Sequence, residues 1–402
     1  MEQPKGHLPT LIASFLHFDL SFMLWVLLGA LGVYIAKDLG LSPAQKGFMV
    51  AVPILSGSLM RIPLGLLSDR AGAKRVGVAM LVFLFIPLTI GWKTSDGLPA
   101  ILAAGLMIGV AGASFSVALP LASRWYPAER QGLVMGIAAA GNSGTVIANL
   151  LAPRLAHSIG WHNVLGCAMI PLALVLLAFL LMARDSKAGS VGAPIRLYLA
   201  AIKQSRMWWF CLFYCVTFGG YVGLSGFLPI FFRDQYGVSP ETAGYLTAIA
   251  ALVGSGVRPL GGYLADKFGG ARMLSVLFLC VAIAYALASR LPPVGTMTGI
   301  IVFGMTSLGM GNGAVFQMVP LRFPREIGIA TGVVGAVGGL GGFILPNLLG
   351  SMKQATGSFN LAFSALAIFA FSTLLLMKFV SGDLVPAPLT VAASPVEASA
   401  EV

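Results

Sequence analysis

Two arginines stand inside apolar, otherwise uncharged runs, each followed eight residues later by an aspartate. Arg61 closes Gly57-Ser58-Leu59-Met60-Arg61 and precedes Asp69; Arg258 closes Gly254-Ser255-Gly256-Val257-Arg258 and precedes Asp266. A guanidinium stays protonated at any biological pH and presents planar, forked donors. At 1.5 Å of rise per residue, each lies roughly 12 Å inward of its aspartate turn, near the middle of a bilayer. Charges at that depth are costly and usually functional. Neither run carries a carboxylate beside its arginine. Two such cations facing one cavity make a site for a small oxyanion; the alternative is that each pairs with backbone carbonyls or with Asp19. Gly57, Ser58 and Gly65, with Gly254, Ser255 and Gly262, stand three or four residues away and are expected to leave space beside the guanidiniums.

Fewer residues offer other chemistry. Asp19 is an acid well inside an apolar run, with His17 two residues away on the opposite side of the helix. An intramembrane carboxylate serves either as a proton relay or as a structural partner. Asn142 can donate to an anion or bridge helices. Tyr214 and Phe218 share a face at i and i+4, as cavity lining or as packing. Gly136 to Gly144 and Gly332 to Gly342 are glycine-rich, but no strand precedes either, so a nucleotide loop is excluded. At helical spacing these glycines, Gly141, Gly144, Gly338 and Gly341 among them, permit close approach or sliding of helices. Cys167, Cys211, Cys215 and Cys280 all fall in apolar runs, with no zinc or redox spacing, and read as small hydrophobes. No cofactor, metal centre or enzyme motif is expected.

The elements that must hold these residues are membrane helices. Of 402 residues 57% are hydrophobic and 10% charged, which excludes a water-soluble surface. Apolar runs of about 20 residues span the hydrocarbon as helices, because lipid tolerates no open strand edge. Twelve spans are expected near 11–36, 45–69, 75–93, 98–123, 130–157, 160–184, 206–233, 240–265, 272–290, 295–321, 327–352 and 358–380. The run after Lys5 is too long for a signal-peptide core and has no cleavage site, so it reads as an uncleaved first span. The chain divides into a six-helix half at 1–184, a cytoplasmic linker at 185–205, a second half at 206–380 and a disordered cytoplasmic tail at 381–402. A net charge of +11 would suggest nucleic acid for a soluble protein. Here Lys and Arg crowd the links on the N-terminal side, such as Lys74, Arg75, Arg124, Arg184 and Arg272, which places both termini in the cytoplasm and makes the bilayer the partner.

An offset of 197 residues maps Ser42-Pro43 onto Ser239-Pro240, Gly57-Ser58 onto Gly254-Ser255, Arg61 onto Arg258, Asp69 onto Asp266 and Gly72 onto Gly269. It continues through Gly112 to Gly309, Pro127 to Pro324, Glu129 to Glu326, Gly141 to Gly338 and Gly144 to Gly341. Two halves that begin on the same side form a parallel repeat, suited to rocking about a midplane site.

Gly65-Leu66-Leu67-Ser68-Asp69-Arg70-Ala71-Gly72-Ala73-Lys74-Arg75 resembles the loop between spans two and three of the major facilitator superfamily, with a weaker copy from Gly261 to Arg272. The paired arginines, the glycine-rich spans 5 and 11, Gly311 to Gln317 and Phe18 to Trp25 resemble the nitrate/nitrite porter family within it. That resemblance implies an all-α membrane protein of twelve helices in two pseudo-symmetric halves. It also implies a secondary transporter of the inner membrane moving nitrate, and nitrite, by alternating access. It places anion binding on Arg61, Arg258 and Asn142, with Tyr214, Phe218 and Phe115 as the aromatic residues that sandwich a planar ion. Proton-coupled uptake through Asp19, with His17 as a further candidate, is the first expectation; nitrate/nitrite exchange, or another small oxyanion, is the alternative. A non-transporting anion sensor is the more distant rival. A monomer is expected.

Overall fold

The computed structural model describes residues 6–93, 97–186, 196, 202–323 and 327–384. Most of the expected linker and tail, and the repeat positions Pro324 and Glu326, lie outside the described residues. Among those described, the chain is helical, with no strand. It forms α1 (8–38), α2 (Pro43–Ala71), α3 (Ala73–Lys93), α4 (Leu98–Ser123), α5 (128–159), α6 (Trp161–Met182), α7 (Ser205–Tyr236), α8 (Pro240–Phe268), α9 (Gly270–Ala288), α10 (Val294–Arg322), α11 (Ile327–Thr356) and α12 (Asn360–Leu384). Eleven of these paths are long and apolar enough to cross a membrane. The exception, α5, is split by a 3-10 turn at Ala140–Ser143. The helix of α12 runs four residues past the expected end at 380.

Corresponding helices start and stop alike in the two halves. Ser42 caps α2 by accepting from the Gln45 N–H, and Ser239 caps α8 by accepting from the Thr242 N–H, each followed by a proline in the first turn. Gly72 (φ 93°) and Gly269 (φ 89°) end the same two helices in a left-handed conformation that a side chain would strain.

The halves meet along a seam that runs from the depth of Arg61 to the face remote from the start of α1. A Cβ on Gly47 of α2 would fall 2.4 Å from the Pro346 carbonyl of α11, and one on Gly350 the same distance from the Pro43 carbonyl. Gly29 of α1 meets Gly226 of α7 as closely, and Gly244 of α8 meets Asn149 of α5. At the rim Lys46 pairs with Asp234 at 2.7 Å, and Glu241 accepts from Tyr34 at 2.8 Å and lies 3.1 Å from His157 Nδ1. Small residues thus let backbones touch where hydrophobic driving force between helices is weak.

The 3-10 turn of α5 packs on α1 in the same way. A Cβ on Gly144 would lie 1.9 Å from the Asp19 carbonyl, whereas one on Gly299 would meet open space. Gly144→Ala is therefore expected to cost about 1–3 kcal/mol or more through overpacking, while Gly299→Ala should stay within about 0.5 kcal/mol. Melting temperatures in detergent check both; equal behaviour of the two variants would contradict the packing.

Candidate functional site

Arg61 is 1% exposed, a full charge in an apolar interior. Its Nε donates to the Gly112 carbonyl at 3.2 Å and its Nη1 to the Gly335 carbonyl at 2.6 Å. The first acceptor sits in the 3-10 segment Gly109–Ser114 of α4, where the regular helical ladder is interrupted and a carbonyl can turn outward. The second belongs to α11, so this one side chain bridges the halves. Nη2 is buried with no hydrogen-bond partner.

Aromatic rings close around the same guanidinium. Its Cζ lies 4.7 Å from the ring centre of Phe218, 5.4 Å from Phe115 and 5.6 Å from Trp25. Such contacts stabilise a desolvated cation without neutralising it. Trp25 is fixed by donating Nε1 to the Pro53 carbonyl at 2.7 Å. The small residues near Arg61 do not leave a void, as expected from sequence, but admit this indole and neighbouring helices. A Cβ on Gly112 would lie 2.3 Å from the Trp25 ring, and Ser58 packs against Gly339 of α11.

Arg258 begins the second segment of α8, after a break at Val257 that Pro259 enforces by lacking an N–H for the ladder. It is half-buried, its Cζ is 5.8 Å from the Phe316 ring, and its Nη1 is buried without a partner. The two guanidiniums feel each other's charge. The Tyr214 hydroxyl lies in the field of both, most strongly that of Arg258, yet without a hydrogen bond of ordinary geometry. Tyr214 stacks on Phe218 at 4.9 Å and 2°, across a π-helical turn at Cys215–Gly219. Phe316 joins the assembly edge-on to Tyr214 at 4.8 Å and against Phe115 at 5.6 Å.

The structure thus brings together Arg61, Arg258, Tyr214, Phe218 and Phe115. Asn142 sits on the 3-10 turn of α5, 2% exposed, with Oδ1 buried and unbonded. Asp19 is elsewhere: it accepts from the Ser143 hydroxyl at 2.6 Å and is not a partner of Arg61. His17 is locked on the opposite side of α1, with Nδ1 3.0 Å from Ser114 Oγ and Nε2 3.2 Å from the Gly77 carbonyl. Asp69 forms an ion pair with Arg124, while Asp266 is exposed. Position 321, which the 197-residue repeat aligns with Arg124, is a leucine and cannot supply that partner.

Trp25, Phe316 and the carbonyls of Gly112 and Gly335 belong to the chamber but were not picked out as site residues from sequence. Trp25 does share a helical face with Phe18 and Phe22, a signal in hindsight. Chemically, buried N–H donors on two cations in a ring-lined chamber suit a small planar anion. It would gain charge-assisted hydrogen bonds in its plane and ring contacts on its faces.

Residues 13–346 match the Major Facilitator Superfamily. The chain is 36% identical over 359 residues to the nitrite extrusion protein of Bacillus subtilis (strain 168), covering 89% of this chain and 90% of that one. It is 33% identical to the "Probable nitrate/nitrite antiporter NarK1" of Thermus thermophilus, covering 94% and 92%. It is 32% identical to the "Probable nitrate transporter NarT" of Staphylococcus epidermidis, covering 89% and 92%. In three dimensions it resembles a bacterial homologue of the human lysosomal transporter Spinster, at a TM-score of 0.73 and 20% identity over 94% of this chain and 98% of that one. It also resembles the nucleoside transporter NupG, at 0.73 and 15% over 92% and 99%. These two likenesses concern the fold.

Two glycines of α11 separate packing from chamber geometry. A Cβ on Gly338 would fall 2.3 Å from the Tyr214 ring, while one on Gly335 would come no nearer than 3.3 Å, to Arg61 Nη1. Gly338→Ala is expected to weaken binding of a small planar oxyanion at least about tenfold, the equivalent of about 1.4 kcal/mol, and Gly335→Ala much less. Calorimetric titration of the purified protein reads the difference, and the reverse order would contradict the arrangement.

Proposed function

This chain belongs to the nitrate/nitrite porter family of the Major Facilitator Superfamily, and on that premise we propose that it carries nitrate by alternating access, with the ion held between Arg61 and Arg258. The observation that supports this most is the pairing of two mid-depth cations, one from each half. Each keeps a buried donor without a partner, inside one aromatic chamber. Nitrate relieves the repulsion between the guanidiniums, so the occupied carrier closes around its site more readily than the empty one. Phe218, Phe115 and Tyr214 flank the ion, and Asn142 donates from the turn of α5. Nitrite fits the same clamp.

The halves 1–184 and 206–380 rock about this point, joined by the cytoplasmic linker 185–205 and followed by the tail 381–402. The Lys/Arg bias puts both termini in the cytoplasm, and in this reading the protein works in the cytoplasmic membrane as a monomer. The closed seam then faces outward, the arrangement of a carrier shut to the outside.

Inward movement of one negative charge opposes an inside-negative potential by about 2.3 kcal/mol per 100 mV. Strong accumulation therefore needs at least two protons per nitrate, so that the potential itself helps, or exchange for another anion. Asp19, with the Ser143 hydroxyl on its carboxylate, is the proton-coupling candidate. His17 faces away from it and is the weaker one. Exchange for nitrite is the second reading, favoured by Asp19 lying against Ser143 and not beside either arginine.

Counterflow in proteoliposomes offered nitrate, nitrite, formate and phosphate tests the reading; indifference to nitrate would end it. Arg258→Lys keeps the charge but loses the fork, so uptake is expected to fall by about 10–100-fold, as one charge-assisted bond is worth about 1.5–3 kcal/mol. Asp19→Asn is expected to abolish pH-gradient-driven accumulation while sparing exchange. Accumulation unchanged in that variant would remove the coupling role from Asp19.

A further inference from the structure

Tyr221 lies on α7 one turn beyond Phe218, 1% exposed, and has no place in the anion clamp. Its hydroxyl is 2.5 Å from Ser255 Oγ of α8 and 3.1 Å from Thr145 Oγ1 of α5. Thr145 in turn donates to the Asn142 carbonyl at 2.8 Å. Each hydroxyl owns a single proton. With the Thr145 proton committed to Asn142, Tyr221 must be the donor to Thr145. Ser255 is then the donor to Tyr221, and the Ala251 carbonyl competes for the Tyr221 proton only at 3.3 Å. A directed chain results: Ser255 to Tyr221 to Thr145 to the Asn142 carbonyl.

Its two ends matter. Ser255 stands one helical turn before Arg258, and Asn142 is the candidate donor of the other half. The link between Tyr221 and Thr145 is the one that crosses between halves. On the outward turn of the same seam, Asn149 Nδ2 of α5 donates to the Ser225 carbonyl of α7 at 3.3 Å, but that bond leads to neither arginine. Parting the halves at Tyr221 strands buried hydroxyls until water reaches them, a penalty that resists opening.

We propose that Tyr221 is a positioning residue that latches the seam remote from the start of α1, tying closure of that face to the placement of Arg258 against Asn142. This rests on the alternating-access reading. The ring itself packs on Gly254, where a Cβ would lie 2.9 Å away, so phenylalanine keeps the packing and deletes only the hydroxyl.

Hydrogen–deuterium exchange of the full chain in lipid nanodiscs, without nitrate, tests it in Tyr221→Phe, Thr145→Val and the double variant. Each single change is expected to speed exchange several-fold in segments 27–50 and 226–245. Exchange near 62–80 and 262–276 should slow, because opening one face of such a carrier closes the other. The double variant should add little, since both changes break the same crossing bond and the other bonds that each removes lie within one half. Unchanged exchange, a uniform rise at both faces, or additive effects would each overturn the latch. Because no nitrate is present, failure of the nitrate assignment would leave this result standing.

Discussion

A guanidinium with almost no exposed surface, in a chamber without an acid partner among the described residues, sets the terms for the rest of this molecule. Arg61 stays charged, so the fold must supply dipoles and ring faces in place of a counter-ion. Two carbonyls and three rings do so. The demand propagates. Segment Gly109–Ser114 of α4 adopts 3-10 geometry, Trp25 is held by the Pro53 carbonyl, and glycine is required at 112 for the indole to fit. One of the two carbonyls lies in the second half, so the residue proposed to attract an anion also ties the halves together.

The two halves share a plan and differ where function would want them to. Matching serine caps and left-handed glycines give α2 and α8 equal starts and stops. Yet Arg61 lies in an unbroken helix, whereas Arg258 follows a break at Val257 and is half-buried. The π turn in α7 stands beside Tyr214, and such turns are frequent at functional sites. The first half presents a fixed cation and the second a more adjustable wall, an asymmetry suited to closing around an ion.

Much of this was legible in the chain. Twelve helical paths, the repeat and the arginine pair follow from hydropathy, spacing and the rarity of intramembrane charge, because bilayer thickness and backbone satisfaction leave few alternatives. The site was legible in part. Helical periodicity tells which face a residue occupies but not which helix covers it. Hence Tyr214 and Phe218 could be paired on one face, while the Gly335 carbonyl, which carries no side-chain signal at all, could not be foreseen. For the same reason Gly57 and Ser58 read as room for a ligand and are instead room for Trp25 and α11. Asp19 was an acid in search of a partner, and that partner, Ser143, became visible only once the break in α5 brought it alongside.

The most direct measurement is diffraction or cryo-electron microscopy of the full chain saturated with nitrate. A two-arginine clamp requires planar density within hydrogen-bond reach of Arg61 Nη2 and Arg258 Nη1, with an aromatic face against it. Nitrate density remote from both guanidiniums, with Nη2 of Arg61 still unbonded, would contradict it.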